Sequence, residues 1–267
     1  MTQSASSLFR SHLLDGVGVA SNAANCVLDK GAPLAVFSAY LESLSSHIRL
    51  VKLGWTSSLL FSDDETRKKI KLAQRKGVDI CLGGTLSEIA CDSGLFAGLL
   101  EYVKELGMSL LEIGSGFAVD PAEVPRLTRE AKRAGLTVMV EIGYKDPERD
   151  EQMSIEDRLG YIDAALLAGA DYIVLEAREV GAGYSVFREN GAQNAQLLTA
   201  VLARVPRDNL IFEAPTRSTQ LEILRRVGFD ALLGNIPFDE IPRVETFRRR
   251  LHADTYIVKN SLSILRS

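Results

Sequence analysis

The chain has 267 residues, 46% of them hydrophobic, and a mean hydropathy of +0.04, so it is long and apolar enough to bury a large core as one α/β domain. Its 31 Lys and Arg residues nearly balance 35 Asp and Glu residues, and the absence of a basic block argues against nucleic acid or a membrane surface as a partner. Three cysteines without CxxC spacing predict neither a disulfide framework nor a structural zinc site, and they fit a reducing cytoplasm.

The two ends of the chain have little pattern. Residues 1–14 are Ser-rich, and we expect them, like about residues 256–267, to be flexible segments of a single domain spanning 1–267. The N-terminus lacks a signal-peptide pattern, and no apolar run reaches 18 residues. Secretion and membrane insertion are therefore not expected.

Between the ends, apolar strand-like runs alternate with segments of helical spacing. Strands are predicted over 26–31, 49–55, 79–85, 110–116, 137–146, 171–179, 210–215 and 230–236. Helices are predicted over 34–46, 63–76, 95–106, 121–134, 154–167, 195–204, 218–227 and 239–251. Eight such repeats with short connections are typical of a single-domain (β/α)8 TIM barrel of the α/β class. A doubly wound open sheet is the competing architecture, but neither GxGxxG after the first strand nor GxxxxGK[ST] occurs.

In a barrel of this kind the carboxyl ends of all strands meet at one face, where active sites are built. The polar residues predicted at this face are Asp29, Lys30, Lys52, Glu112, Glu141, Lys145, Glu176, Arg178, Glu179, Glu213 and Asn235. Side chains alternate along a strand, so Lys145 is expected on the same side as Glu141. None of the three histidines ends a strand-like run, so proton transfer would fall to Lys or Glu.

Four of these residues are carboxylates near the same depth: Glu112, Glu141, Glu176 and Glu213. They would repel one another unless a cation lies among them, and oxygen ligands without His or Cys suit Mg²⁺ rather than zinc. The alternative is a structural ion network with Lys52, Lys145 and Arg178. We favour a ligand site, because such a network is costly to desolvate.

A second candidate feature is the Gly83-Gly84-Thr85 sequence at the end of the third strand-like run. Its backbone N–H groups could bind a phosphate, and a tight turn explains the two glycines equally well.

Short sequences along the chain, in order and at similar spacing, resemble those of the phosphosulfolactate synthase family. They are residues 27–31 (VLDKG), 51–55 (VKLGW), 83–86 (GGTL), 141–145 (EIGYK), 176–179 (EARE), 212–215 (FEAP), 234–236 (GNI) and 245–249 (ETFRR). The resemblance runs from about residue 26 to Thr255. It implies a (β/α)8 barrel that uses Mg²⁺ to add sulfite to phosphoenolpyruvate, an early step of one route to coenzyme M, in a homo-oligomer.

The resemblance also implies roles for single residues. Lys145 matches the family's catalytic lysine and would act as general acid. The anionic substrates would bind Lys30, Lys52, Arg178, Arg217 and Asn235. The Mg²⁺ ligands would come from Glu141, Glu176 and Glu213.

This chain also departs from the family's sequences near the substrate. It has Gly114-Ser115 where the family has Ser-Asp, Thr56 where it has Gly, Val180 where it has Ser, and Tyr144 where it has Lys. These changes leave two alternatives open: the same chemistry with another nucleophile or enol-type substrate, and a non-catalytic relative resembling the plant heat-stress-associated branch of the family.

Overall fold

The computed structural model describes residues 25–175 and 191–256, together with Phe9. The apolar runs of the sequence form eight short strands. They are β1 (Asn25–Asp29), β2 (Ile48–Leu53), β3 (Asp79–Leu82), β4 (Leu110–Ile113), β5 (Thr137–Ile142), β6 (Tyr172–Leu175), β7 (Leu210–Glu213) and β8 (Leu232–Ile236). Each strand pairs in parallel with the next, and β8 pairs with β1, so the sheet is a closed barrel. The predicted (β/α)8 barrel is confirmed.

Ten helices lie in the described part of the chain and surround the barrel. They are α1 (Leu34–Leu44), α2 (Asp63–Arg75), α3 (Gly84–Asp92), α4 (Phe96–Leu106), α5 (Val124–Arg133), α6 (Pro147–Gln152), α7 (Ile155–Leu167), α8 (Gly191–Leu202), α9 (Arg217–Arg226) and α10 (Ile241–Arg248). The sequence predicted where some of them begin and end. The hydroxyl of Ser62 accepts the N–H of Glu65 at the start of α2, and Gly107 ends α4 with a left-handed φ of +87°.

Two helices were missed, and seven of the strands are shorter than predicted, β3 and β5 among them. Helix α3 begins at Gly84, inside the predicted third strand, because Gly83 alone separates the end of β3 from the helix and serves as its N-cap. Strand β5 ends at Ile142, and α6 follows the loop that carries Lys145. The predicted sixth strand extended to residue 179, but residues 176–190 lie outside the described residues.

The inside of the barrel is filled by one side chain from each strand. This layer consists of Cys26, Leu50, Cys81, Leu110, Met139, Val174, Ile211 and Leu232. Because side chains on a strand repeat on the same face every two residues, the next inward layer towards the carboxyl ends holds residues 28, 52, 83, 112, 141, 213 and 234. The apolar layer is therefore the floor on which a polar layer stands.

A buried polar network closes the opposite, amino-terminal end. The amide of Asn25 donates to Glu245 at 2.7 Å and accepts from Arg248 at 3.1 Å, which ties β1 to α10. Arg249 and His47 also pair with Glu245. The network therefore joins the first strand to the last helix. None of the helices in the described part of the chain is long and apolar enough to cross a membrane.

Candidate active site

A buried ion cluster occupies the carboxyl end of the barrel. The ammonium of Lys52 on β2 donates to Glu112 on β4 and to Glu213 on β7, both at 2.9 Å. All three side chains are buried. Burial alone lowers the pKa of Lys52, but the charges of Glu112 and Glu213 outweigh it and hold that pKa well above its usual value. Lys52 therefore stays charged and cross-links two strands through the middle of the barrel.

Glu112 has a second partner that was not foreseen from the sequence. Its other oxygen accepts the N–H of Gly84 at 2.6 Å, at the first residue of α3. The N–H of Gly83 donates to the carbonyl of Leu53. The proposed presentation of these two N–H groups to a phosphate does not hold in this structure, because both already have acceptors. Burial raises the pKa of Glu112 above its usual value.

Lys145 reaches the same face from the loop after β5. Its backbone N–H donates to the carbonyl of Gly116, and its ammonium lies 3.2 Å from the hydroxyl of Thr85 and 3.6 Å from Oε2 of Glu141. The expected proximity of Lys145 to Glu141 is confirmed, although the cause is a turn after Ile142 rather than alternation along one strand. About a fifth of the side chain is exposed, at 18%.

The surroundings of Lys145 keep it protonated. Burial alone lowers the pKa of its amine, but the negative charges of Glu141 and Glu88 outweigh burial and raise that pKa above its usual value. An ammonium that remains charged at neutral pH can donate a proton to a substrate bound beside it.

Glu88 is a member of this site that sequence reasoning missed. It lies on α3, is fully buried, and its Oε1 atom is 3.7 Å from the ammonium of Lys145. Its Oε2 atom accepts the backbone N–H groups of Phe117, Ala118 and Val119 at 2.8, 2.8 and 3.2 Å. The sequence could have predicted Glu88 at this site only if α3 had been recognised, because Glu88 lies one helical turn after Gly84.

Other predicted substrate-binding residues lie further from the cluster or engage other groups. The ammonium of Lys30 is exposed and lies 5.1 Å from the ring of Trp55 at the rim. The guanidinium of Arg217 at the start of α9 is about half exposed and pairs with Asp254. Glu176 and Arg178 lie outside the described residues.

Asn235 adjoins the cluster, as predicted. With Lys52, Glu112 and Glu213 it lines a small cavity above the apolar floor, large enough for about one water molecule. The residue has a left-handed φ of +55°, and its Oδ1 atom is buried without a hydrogen-bond partner in the described structure. The cavity therefore offers an acceptor at the base of the site.

The carboxylates of this face are suitable for a divalent cation. No group of three or more His, Cys, Asp or Glu side chains in residues 25–175 and 191–256 forms a ready-made metal site. However, Mg²⁺ is often held by one or two carboxylates together with water and substrate oxygens, and Glu141 and Glu213 are oxygen donors of that kind. The described contacts also join four carboxyl groups to two ammonium groups, an excess of acidic side chains that a divalent cation would offset. The donor set fits the ion.

Comparisons with known proteins point to one family. The sequence model of (2R)-phospho-3-sulfolactate synthase matches residues 21–254. The chain is 36% identical over 231 residues to a phosphosulfolactate synthase of Methanocaldococcus jannaschii, covering 86% of this chain and 92% of that protein. It is 35% identical over 235 residues to one of Methanothermobacter thermautotrophicus, covering 88% and 91%. Among solved structures, triosephosphate isomerase from Bartonella henselae has a TM-score of 0.55 at 16% identity, covering 84% of this chain and 99% of that one, which supports the barrel fold alone.

Proposed function

Because this chain belongs to the (2R)-phospho-3-sulfolactate synthase family of enzymes, we propose that it adds sulfite to phosphoenolpyruvate to give 2-phospho-3-sulfolactate, with Lys145 as general acid. The observation that carries the proposal is the ammonium of Lys145 at the carboxyl end of the barrel, 3.6 Å from the buried carboxylate of Glu141. The reaction needs one proton donor beside a site for several negative charges, and this face combines both.

The proposed chemistry forms one carbon–sulfur bond and one carbon–hydrogen bond. The sulfur lone pair of sulfite attacks the methylene carbon of phosphoenolpyruvate, and the electron pair of the double bond moves towards the substrate carboxylate. The resulting enediolate-like intermediate then takes a proton at the carbon that bears the phosphate. In this proposal Lys145 donates that proton and is recharged from solvent through the barrel mouth.

Charge stabilisation is the largest demand on the site, because both substrates are anions. Lys52 uses two of its three ammonium N–H donors on Glu112 and Glu213, so one donor remains for a substrate oxygen. Lys30 at the rim and Asn235 at the base of the cavity are the other described residues proposed to contact substrate.

The remaining assignments are proposals that the described contacts support less directly. Arg217 would have to leave Asp254 in order to bind substrate. Arg178 is proposed on the sequence resemblance alone.

Mg²⁺ is proposed to bind through Glu141 and Glu213, with Glu176 as a third ligand on the sequence resemblance alone. When bound it would supply positive charge close to the substrate carboxylate, where negative charge develops during attack. The role of Glu141 is then to place that charge and Lys145 on the same side of the substrate.

The test is direct. Purified enzyme is incubated with phosphoenolpyruvate, ³⁴S-labelled sulfite and Mg²⁺, and the product is identified by mass spectrometry, with a parallel reaction lacking sulfite. We expect a labelled adduct of phosphoenolpyruvate and sulfite that does not form without enzyme. No adduct with sulfite, but an adduct with another nucleophile from a screen, would replace the proposed substrate. No adduct with any nucleophile would contradict the proposed reaction.

A further inference from the structure

The buried side chain of Glu88 connects helix α3 to the loop after β4, which we call the β4 loop (residues 114–120). One carboxylate oxygen accepts three successive N–H groups of this loop, from residues 117, 118 and 119. Three N–H groups converging on one buried anionic oxygen form a strong anchor, because hydrogen bonds to a charged group are shorter and stronger than neutral ones. Without it, those N–H groups would lose their only described acceptor.

The β4 loop in turn frames Lys145. The carbonyl of Gly116 accepts the backbone N–H of Lys145 at 2.9 Å, and the ring of Phe117 lies 5.7 Å from its ammonium. A Cβ atom at position 116 would come 2.6 Å from Cγ of Lys145, so the loop backbone touches the lysine side chain directly. Any displacement of residues 116–117 would therefore move the amine.

The other oxygen of Glu88 has no hydrogen-bond partner in the described structure, although it is fully buried. It is 3.7 Å from the ammonium of Lys145. A buried carboxylate oxygen without a donor is costly, so its retention calls for an explanation beyond packing. The neighbouring backbone makes room for it, since a Cβ atom on Gly114 would lie 2.7 Å from this oxygen.

We propose that Glu88 is a positioning residue, which holds the β4 loop in place and through it sets the position of the Lys145 amine. The inference rests on the proposed role of Lys145 as general acid. It assigns to Glu88 no contact with substrate. Replacing Glu88 should therefore slow the chemical step, because a shift of about 1 Å in a catalytic group can lower a rate 100-fold.

The test compares Glu88→Ala and Glu88→Gln in the full-length protein. The amide oxygen of Gln can still accept N–H groups from the loop, but without the negative charge, whereas Ala removes the acceptor. We expect amide hydrogen exchange at residues 117–119 and at Lys145 to increase in the order wild type, Gln, Ala. We expect kcat to fall in the same order, roughly 10- to 100-fold for Ala, while KM for phosphoenolpyruvate stays within about threefold. Partial rescue by Gln separates anchoring from a general loss of structure.

Two further variants keep the proposal falsifiable. Asp120→Ala removes a carboxylate that accepts the N–H of Ala122 just beyond the anchored residues, and it should leave exchange at Lys145 and kcat unchanged. Gly114→Ala leaves Glu88 chemically intact but places a methyl group 2.7 Å from its free oxygen and 3.1 Å from the backbone of Gly84, so it should raise amide exchange at residues 117–119 as well as lower kcat if Glu88→Ala fails to fold.

Two results would decide against the proposal. Faster exchange at 117–119 with unchanged exchange at Lys145 would show that the loop does not hold the lysine. An equal loss in kcat for Glu88→Ala and Asp120→Ala would show a general structural effect. If wild-type enzyme makes no adduct, the proposed reaction fails separately, and exchange at Lys145 still decides whether Glu88 positions it.

Discussion

The ammonium of Lys52 lies 2.9 Å from Oε1 of Glu213, so a lysine on β2 is bonded across the barrel to a glutamate on β7. The two residues are 161 positions apart in sequence. Glu112 on β4 accepts from the same ammonium. Three strands are thus joined by one buried cation directly above the apolar interior of the barrel.

Replacing Lys52 by Met should strongly destabilise the fold. Methionine replaces the aliphatic part of the lysine side chain but leaves Glu112 and Glu213 buried without their cation. Breaking a buried pair in this way costs roughly 3–5 kcal/mol. Urea unfolding measures the loss. Adding Glu112→Gln and Glu213→Gln to this variant should recover part of it. Lys76→Met, which removes a lysine paired with Glu42 at the surface, should cost less than about 1 kcal/mol. Equal losses for the two lysines would contradict this interpretation of the cluster.

Replacing Lys145 by Met should affect the reaction more than the fold. Its ammonium is 3.6 Å and 3.7 Å from the two nearest carboxylates, too far for strong hydrogen bonds, so less stability depends on it than on Lys52. Loss of a general acid should lower kcat by roughly 10²- to 10⁴-fold. Rates of adduct formation and circular dichroism are measured together, with Lys104→Met at the surface as the control. Full activity in Lys145→Met would remove this residue from the mechanism, whereas no adduct from the wild type or the variant would favour the non-catalytic alternative.

Much of this site could be predicted because parallel strands end together. Lys52, Glu112, Glu141 and Glu213 each lie two residues beyond a member of the apolar interior layer, so the period of two placed them on the same inward face. That pattern does not say which charges pair, since partners such as Lys52 and Glu213 depend on the curvature of the closed barrel.

Two residues reach the site by routes other than strand alternation. Glu88, which sequence reasoning missed, arrives from a helix that begins one residue after β3, and Lys145, which was predicted, arrives through a turn. Their neighbours are set by loop geometry, which has no simple period along the sequence.

Thr56→Gly should stabilise the protein. Thr56 has a left-handed φ of +59°, directly after Trp55 at +54°, and β-branched residues are strained in this region. Glycine adopts this left-handed conformation without strain. It also has more conformational entropy in the unfolded chain, which opposes folding, so we expect the free energy of unfolding to rise by a net of about 0.5–1 kcal/mol. Thermal unfolding measures it. Thr56→Ala keeps a Cβ atom and should give a smaller gain, so equal gains from Ala and Gly would show that backbone strain is not the cause.

Glu245 should make stability depend on pH under acidic conditions. Burial alone raises the pKa of its carboxyl, but hydrogen bonds from His47, Arg249 and Asn25 outweigh burial and lower it to about 2. A carboxyl whose pKa is lower in the folded state contributes stability above about pH 4.5, and this contribution is lost as the pH falls towards 2. The full contribution is about 3 kcal/mol.

The measurement for Glu245 is the free energy of unfolding of Glu245→Gln relative to wild type at two pH values. The variant should be clearly less stable at pH 7, and the difference should shrink near pH 2.5. Glu222→Gln, which alters a surface pair with Arg226, should show no such change. A constant difference between wild type and Glu245→Gln across this range would mean that the carboxyl is not held ionised by the network.

Gly116→Ala should lower activity without unfolding the protein. The added methyl group would come 2.6 Å from Cγ of Lys145 and 3.0 Å from its Cε, so the flexible lysine side chain must move rather than the backbone. Because the amine is then displaced from its place beside Thr85 and Glu141, we expect kcat to fall roughly 10- to 100-fold, with a change in stability below about 1 kcal/mol. Gly98→Ala is the matched control. A Cβ atom there meets nothing within 4 Å in the first turn of α4, so it should leave kcat unchanged and change stability by less than about 1 kcal/mol. If Gly116→Ala were as active as Gly98→Ala, the reaction would not depend on where the Lys145 amine lies, and its role as general acid would have to be abandoned.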